Sequence, residues 1–290
     1  MFSIGRLYHL THVVSDLDAV NAWYDEVFCP LRPYGGRSDA AMRDAAVLVF
    51  GNCVIEAVQP APIPGGENSA IGRFHARFGQ HMHSIAMFAD NLADLCDRFL
   101  DHGVRLSGTF GEKITERGTN KTLWTHPKDT HAVLEFAAVP RFHFDPRFHP
   151  SWSQAFWRIH PLGLTQISHV TVLFRDLGEA HRVYGEILGG ELLQSEEIPG
   201  ERRSAFYSLG PEIIIEALQP LIETSIEGQD LARNGEGILG FTLQVQDIAA
   251  AVEHLEAKGQ VILRRDADSV TLDPACAFGM VLGFTQRTIG

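Results

Sequence analysis

Four side chains stand out for the chemistry they offer: His9, Glu56, His83 and Glu135. Each interrupts a short apolar run, in HLTHVV, VIEAV, HSIAMF and AVLEF respectively. In an extended strand residues i and i+2 share a face. His9 then lies with Thr11 and Val13, Glu56 with Val54 and Val58, His83 with Ile85 and Met87, and Glu135 with Val133 and Ala137. A charged carboxylate on an apolar face is costly unless it is paired or bound to a metal. Two carboxylates alone repel, whereas two neutral imidazoles and two carboxylates around a divalent ion satisfy every charge and leave coordination positions open. Taken one at a time, each of the four is better explained as a core or rim residue. His12, His81, His126 and His131 keep that structural reading, with His81 the nearest rival because it shares a face with His83.

The elements that must position these residues follow a pattern. Strand-like runs ending in an aspartate recur at HLTHVVSD, HSIAMFAD, HVTVLFRD and GFTLQVQD, ending at Asp16, Asp90, Asp176 and Asp247. Each precedes a helical pattern, as with Leu17, Val20, Tyr24 and Val27, or Leu92, Leu95, Cys96 and Phe99. Each aspartate is placed to cap its helix by accepting from free backbone N–H groups of the first turn. Gly103, Gly189 and Gly259 stand where three of those helices should end. Shorter strand-like stretches follow at Ala46–Phe50, Val54–Val58, Thr122–Thr125, Ala132–Phe136, Ser204–Leu209, Ile213–Leu218 and Val281–Phe284. The unit is a strand, a helix and two or three more strands, repeated four times.

The chain also repeats at a larger scale. Shifted by 160 positions, His9 falls on His169, Asp16 on Asp176 and Tyr24 on Tyr184, and VIEAVQP from Val54 falls on IIEALQP from Ile214 without a gap. The two halves are therefore copies of one architecture. We expect an N-terminal domain over residues 1–139, a linker over 140–163 rich in Pro, aromatics and His, and a C-terminal domain over 164–290. The aromatic content of the linker predicts that it packs against a domain.

Composition narrows the function. Of 290 residues 45% are hydrophobic and 21% charged, the balance of a globular protein with a sizeable core. The formal charge of −12 opposes general attraction to phosphate backbones, so nucleic acid is not expected as a partner. No apolar run approaches the roughly 20 residues of a spanning helix, and the N-terminus lacks a signal-peptide pattern, so a cytoplasmic location without membrane association is expected. Cys29, Cys53, Cys96 and Cys276 have no C-x-x-C spacing, which favours reduced thiols.

The repeated unit, the H-x₆-D pattern of the first strands and the Glu in the last strand of a module resemble the vicinal oxygen chelate superfamily. That superfamily includes glyoxalases, methylmalonyl-CoA epimerases, extradiol dioxygenases and bleomycin-resistance proteins. The resemblance implies an α+β fold, with four βαβββ modules paired into two cup-shaped, open-barrel domains. It also implies a metal held by the first and last strands of both modules, at His9, Glu56, His83 and Glu135, a set similar to the bacterial type of glyoxalase I. The matching positions of the second half are read as His169, Glu216, Gly240 and Gly283. Glycine offers no side-chain ligand, so the second site is expected to be degenerate, with His169 and Glu216 as relics or substrate contacts.

Such a site implies one divalent ion, Zn, Ni, Co, Mn or Fe, that chelates neighbouring oxygens of a small substrate and stabilises the enediolate left when a proton departs beside a carbonyl. Glu135 or Glu56 would be the base. The resulting expectation is a metal-dependent isomerase, epimerase or lyase. An Fe(II) extradiol dioxygenase using His9, His83 and Glu135 is the alternative, disfavoured by the fourth ligand Glu56 and by the glycines of the second half. A metal-free binding protein of the bleomycin-resistance kind is the second alternative, and it leaves two buried carboxylates unexplained. The substrate is unassigned, because the loops 61–80 and 104–121 carry no legible motif. A monomer or a homodimer fits equally.

Overall fold

The computed structural model describes residues 1–138 and 145–290. In the N-terminal half, β1 (Ile4–Val13) is followed by α1 (Leu17–Phe28), β2 (Gly35–Ser38), β3 (Arg43–Phe50), β4 (Cys53–Pro60) and α2 (Ala70–Phe78). Then come β5 (His81–Ala89), α3 (Leu92–Asp101), β6 (Leu106–Ser107), β7 (Lys113–Ile114), β8 (Leu123–Thr125), α4 (Pro127–Thr130) and β9 (Val133–Ala138). These strands form one nine-stranded mixed sheet in the order β2-β3-β4-β1-β5-β9-β8-β6-β7. At its centre β1 and β5 run antiparallel, and each has the last strand of its own module, β4 or β9, parallel beside it.

The second half begins after a short helix α5 (Gln154–Ile159) and repeats the plan. It contains β10 (Leu164–Leu173), α6 (Leu177–Ala180, running on as wider π turns over His181–Ile187), β11 (Glu191–Ile198), β12 (Arg202–Gly210) and β13 (Ile213–Pro220). It ends with α7 (Ile226–Asn234), β14 (Gly237–Val245), α8 (Ile248–Ala257), β15 (Ile262–Arg265), β16 (Ser269–Leu272) and β17 (Val281–Thr285). The eight-stranded sheet has the order β11-β12-β13-β10-β14-β17-β16-β15. Neither sheet closes into a barrel.

Alternation within the strands separates two faces. Leu10, Ile55, Ile85 and Leu134 point to the helices and are fully buried, packed with Tyr24 and Phe28 of α1 and Leu95 and Phe99 of α3. The opposite face of each sheet lines the cup. Asp16, Asp176 and Asp247 cap their helices as expected, each accepting from a first-turn N–H group. Asp90 does not. The cap of α3 is Asn91, which accepts from Asp94 N, while Asp90 accepts from the backbone N and Oγ of Ser3. The three predicted helix-ending glycines all have the left-handed backbone, with φ of 71° at Gly103, 72° at Gly189 and 69° at Gly259. The span 61–80, expected as loop, contains α2, and the edge strands β2 and β11 were not anticipated.

The halves share one hydrophobic core, in which the Phe28 ring stacks on Phe284 with centroids 6.3 Å apart. Residues 140–144 of the expected linker lie outside the described residues. Its remainder packs closely, as Trp152 and Trp157 donate to Gly51 O and Phe28 O. Arg147 is buried there, with its guanidinium on Asp145, on Glu212 of the second half and on Leu7 O of β1. Cys53 and Cys96 are buried and Cys29 is exposed, all as free thiols. No described helix is long and apolar enough to cross a membrane.

Candidate metal centre

Strand register brings three of the sequence-predicted residues of the first half, His9, Glu56 and Glu135, to one place. Ala86 of β5 pairs with His9 on one side and Glu135 on the other, so those two side chains flank a residue too small to separate them. Thr11, two residues beyond His9, pairs with Glu56. His9 Nε2 stands 3.5 Å from Glu56 Oε2 and 3.6 Å from Glu135 Oε2. Those distances match the roughly 3–3.5 Å between donors that share an ion at about 2.0–2.2 Å.

His83 reaches the cup by a different route from the one its alternation suggests. Ile85 and Met87 are fully buried in the helix-side core, so a regular strand would send His83 there too. Thr11 pairs with Ser84 and His12 with Met82, which leaves His83 as the extra residue of a β-bulge. The bulge turns its ring to the cup side, edge-on to Phe74 of α2 with centroids 4.8 Å apart. His83 therefore does not share a face with Ile85 and Met87.

Burial holds both rings neutral. Desolvation lowers the His9 pKa, with Glu56 opposing and Arg43 assisting, and lowers that of His83 to about 4, assisted by Arg43 and His9. His9 Nε2 and His83 Nδ1 are buried without a hydrogen-bond partner. Orphaned imidazole nitrogens beside two carboxylates are costly on their own and are suited to a divalent ion. The fit is not complete as the side chains stand. Among the described residues no three His, Cys, Asp or Glu side chains already present an arrangement that holds an ion, so binding requires side-chain movement.

A residue not anticipated from the sequence accounts for part of that. Arg43, at the start of β3, lies on the face of Val47, which pairs with Glu56, and its Nη2 donates to Glu56 Oε1 at 2.6 Å. Tyr34 borders the same cup. Its phenol pKa is raised by burial, by a hydrogen bond and charge coupling with Tyr8, and by Asp145 and Glu56. The 160-residue shift carries Arg43 onto Arg203, but strand register matches it to Arg202, since the two pair with Pro60 and Pro220 respectively.

Residues 168–274 match the model of the Glyoxalase/Bleomycin resistance protein/Dioxygenase superfamily. In this segment the chain resembles that superfamily. A likeness in fold extends over the whole chain. A mutant of 4-hydroxymandelate synthase from Streptomyces coelicolor superposes with a TM-score of 0.71 at 17% identity, covering 99% of this chain and 94% of that one. Among curated proteins, a lactoylglutathione lyase of Arabidopsis thaliana is 29% identical over 123 residues, 42% of this chain and 40% of its own length. A probable chloroplastic lactoylglutathione lyase of the same plant is 31% identical over 97 residues, 33% of this chain and 27% of its own. The chain thus spans about two fifths, or less, of the curated relatives it matches.

The segment that matches the superfamily model contains most of the second cup, though not its strand β17, and none of the first. There His169 Nε2 lies 3.5 Å from Glu216 Oε2, as His9 does from Glu56. Glu216 is otherwise satisfied by hydroxyls, Thr171 Oγ1 at 2.7 Å and Ser204 Oγ at 2.8 Å. Register corrects one assignment. Thr171 pairs with Gly240 and Val172 with Ile238, so the bulged counterpart of His83 is Leu239, and Gly240 corresponds to Ser84. Gly240 is required by close packing, since a Cβ there would meet Val281 O at 1.8 Å. Gly283 pairs with Thr242, which pairs with His169, and so takes the place of Glu135.

The remaining histidines have structural partners. His12 contacts Tyr24 OH and Phe278 O, His81 contacts Asp230, and His131 contacts Glu236, so these three join the two halves. His126 caps α4 by accepting from Lys128 N.

Proposed function

We propose that the first cup is the active site of a metal-dependent isomerase, epimerase or lyase of the glyoxalase type, with the ion held by His9, His83, Glu56 and Glu135. The observation that carries this reading is His9 Nε2, buried without a hydrogen-bond partner beside the carboxylates of Glu56 and Glu135, with the buried ring of His83 electrostatically coupled to it. A divalent ion bound there supplies a Lewis acid that polarises a substrate carbonyl and stabilises the charge left on oxygen when the neighbouring carbon loses its proton. The chain's own residues supply the remainder. Glu56 Oε1 already accepts a charge-assisted hydrogen bond from Arg43, which a proton would have to displace, so we assign the base to Glu135. Arg43 also brings a fixed positive charge to the cup wall, which favours a substrate carrying negative charge or developing it. Tyr34, Tyr8 and Phe74 flank the site and would limit water beside the reacting carbon.

The test is elemental mass spectrometry on protein purified without chelator. About one ion per chain is expected in the wild type, and its loss in His83→Ala and His9→Ala. A wild-type chain that stays metal-free after reconstitution with several divalent ions would overturn the proposal. Oxygen consumption with a catechol and Fe(II) would instead move it to the dioxygenase class.

A further inference from the structure

We infer that the second cup is a metal-free binding site for a small organic anion, with Arg202 as the group that recognises it. The cavity measures about 390 Å3 and is open to solvent on one side. That lies within the range of roughly 300–1,000 Å3 of small-molecule sites.

The inference rests on how the two cups dispose of the same charges. Each keeps a histidine and a glutamate in matching contact, and each has an arginine near the start of the strand beside that glutamate. In the first cup the arginine is occupied, because Arg43 donates to Glu56. In the second, Thr171 and Ser204 satisfy both oxygens of Glu216, and Ala45, on the cup face of β3, offers no hydroxyl that could do the same for Glu56. Arg202 is thereby released. Its guanidinium has no ion-pair or hydrogen-bond partner among the described residues, although it lines the cavity and its charge reaches His169.

The other cations lining this cavity are paired with carboxylates, whereas Glu196 and Asp266 accept only from neutral groups. Arg264 donates to Glu227, Arg287 to Asp268, Glu196 accepts from Gln194 and Asp266 from Ser269. The cationic group left to bind a ligand is therefore Arg202, a planar fork suited to a carboxylate. Two of the four candidate ligand positions are lost from the same cup, where Leu239 and Gly283 stand in the places of His83 and Glu135. What replaced it is apolar. Leu239 packs with Leu173, Leu218 and Val281, and Phe206 stands edge-on to His169 with centroids 5.5 Å apart. A guanidinium at one end and an apolar wall at the other specify an amphipathic carboxylate.

The probes are benzoate, its neutral counterpart benzamide, and inorganic phosphate, followed by saturation-transfer NMR on the full chain at millimolar ligand. We expect saturable binding of benzoate, with benzamide and phosphate each weaker by about ten-fold or more, and a comparable loss of benzoate binding in Arg202→Gln. Arg202→Lys should retain part of the affinity. Arg202 is half-buried at the start of β12, and unchanged circular dichroism of its variants establishes that they fold. The inference is overturned by absence of saturable benzoate binding, by equal binding of benzamide, or by benzoate binding that is kept in Arg202→Gln. Preference for phosphate over benzoate would also overturn it, by removing the apolar wall from recognition. None of these outcomes depends on metal in the first cup.

Discussion

His12 carries the clearest pH dependence outside the candidate centre. Its ring is fully buried between Tyr24 OH and Phe278 O, and burial lowers its pKa from the ordinary 6.5 to about 4. Between those two values the unfolded chain binds the proton and the folded one does not, so stability rises with pH across that window. The contribution is complete above about pH 6.5 and is lost as the pH falls towards 4, amounting to about 3 kcal/mol over the full shift. Thermal melts of the wild type and His12→Asn between pH 4 and 7 should show a shallower acid loss in the variant; parallel curves would remove His12 as the cause. At this same scale the sequence was least informative. Four ligand candidates were legible because polar residues interrupted apolar runs. The bulge that turns His83 into the cup was not, because one inserted residue leaves composition unchanged while inverting the alternation. Arg43 was illegible for another reason, as its role exists only once β3 lies against β4.

Several strands were recovered nearly to their ends, but β1 and β10 begin at Ile4 and Leu164, well before the expected runs from His9 and His169, and β15, β16 and α7 were not located. Ile213–Leu218 was expected and β13 runs Ile213–Pro220; Val281–Phe284 was expected and β17 runs Val281–Thr285. Buried strands with an apolar helix face carry strong periodicity, whereas β2 (GGRS) and β11 are exposed edge strands whose residues need not alternate. The misplaced cap has a measurable consequence. Asn91→Ala should cost about 1 kcal/mol in denaturant unfolding by leaving Asp94 N unsatisfied, and Asp90→Ala should cost less, through the exposed Ser3 contacts alone. A larger loss at Asp90 would restore the sequence-based assignment.

Across the whole molecule the halves are held together by polar contacts as well as by the shared core. Arg147 is the most concentrated of these, because one buried guanidinium reaches the linker, β1 and Glu212 of the second half. Arg147→Met would leave Asp145 buried without its counter-charge, at a cost of about 3–5 kcal/mol. Calorimetry should show that loss as a lowered single transition. Two separated transitions in the variant would mean that Arg147 couples two otherwise independent units, and an unchanged melting temperature would contradict the buried pairing.

Covalent fusion of the two cups has one more consequence, which concerns inheritance. In a pair of identical subunits related by a two-fold axis, every substitution lands on both sites at once. A histidine exchanged for leucine would then disarm both. Here His83 and Leu239 are separate codons on one chain, so the second copy could abandon its donors while the first kept every one. The two cups therefore differ at that bulge and again opposite Thr242, where Gly283 stands in the place of Glu135.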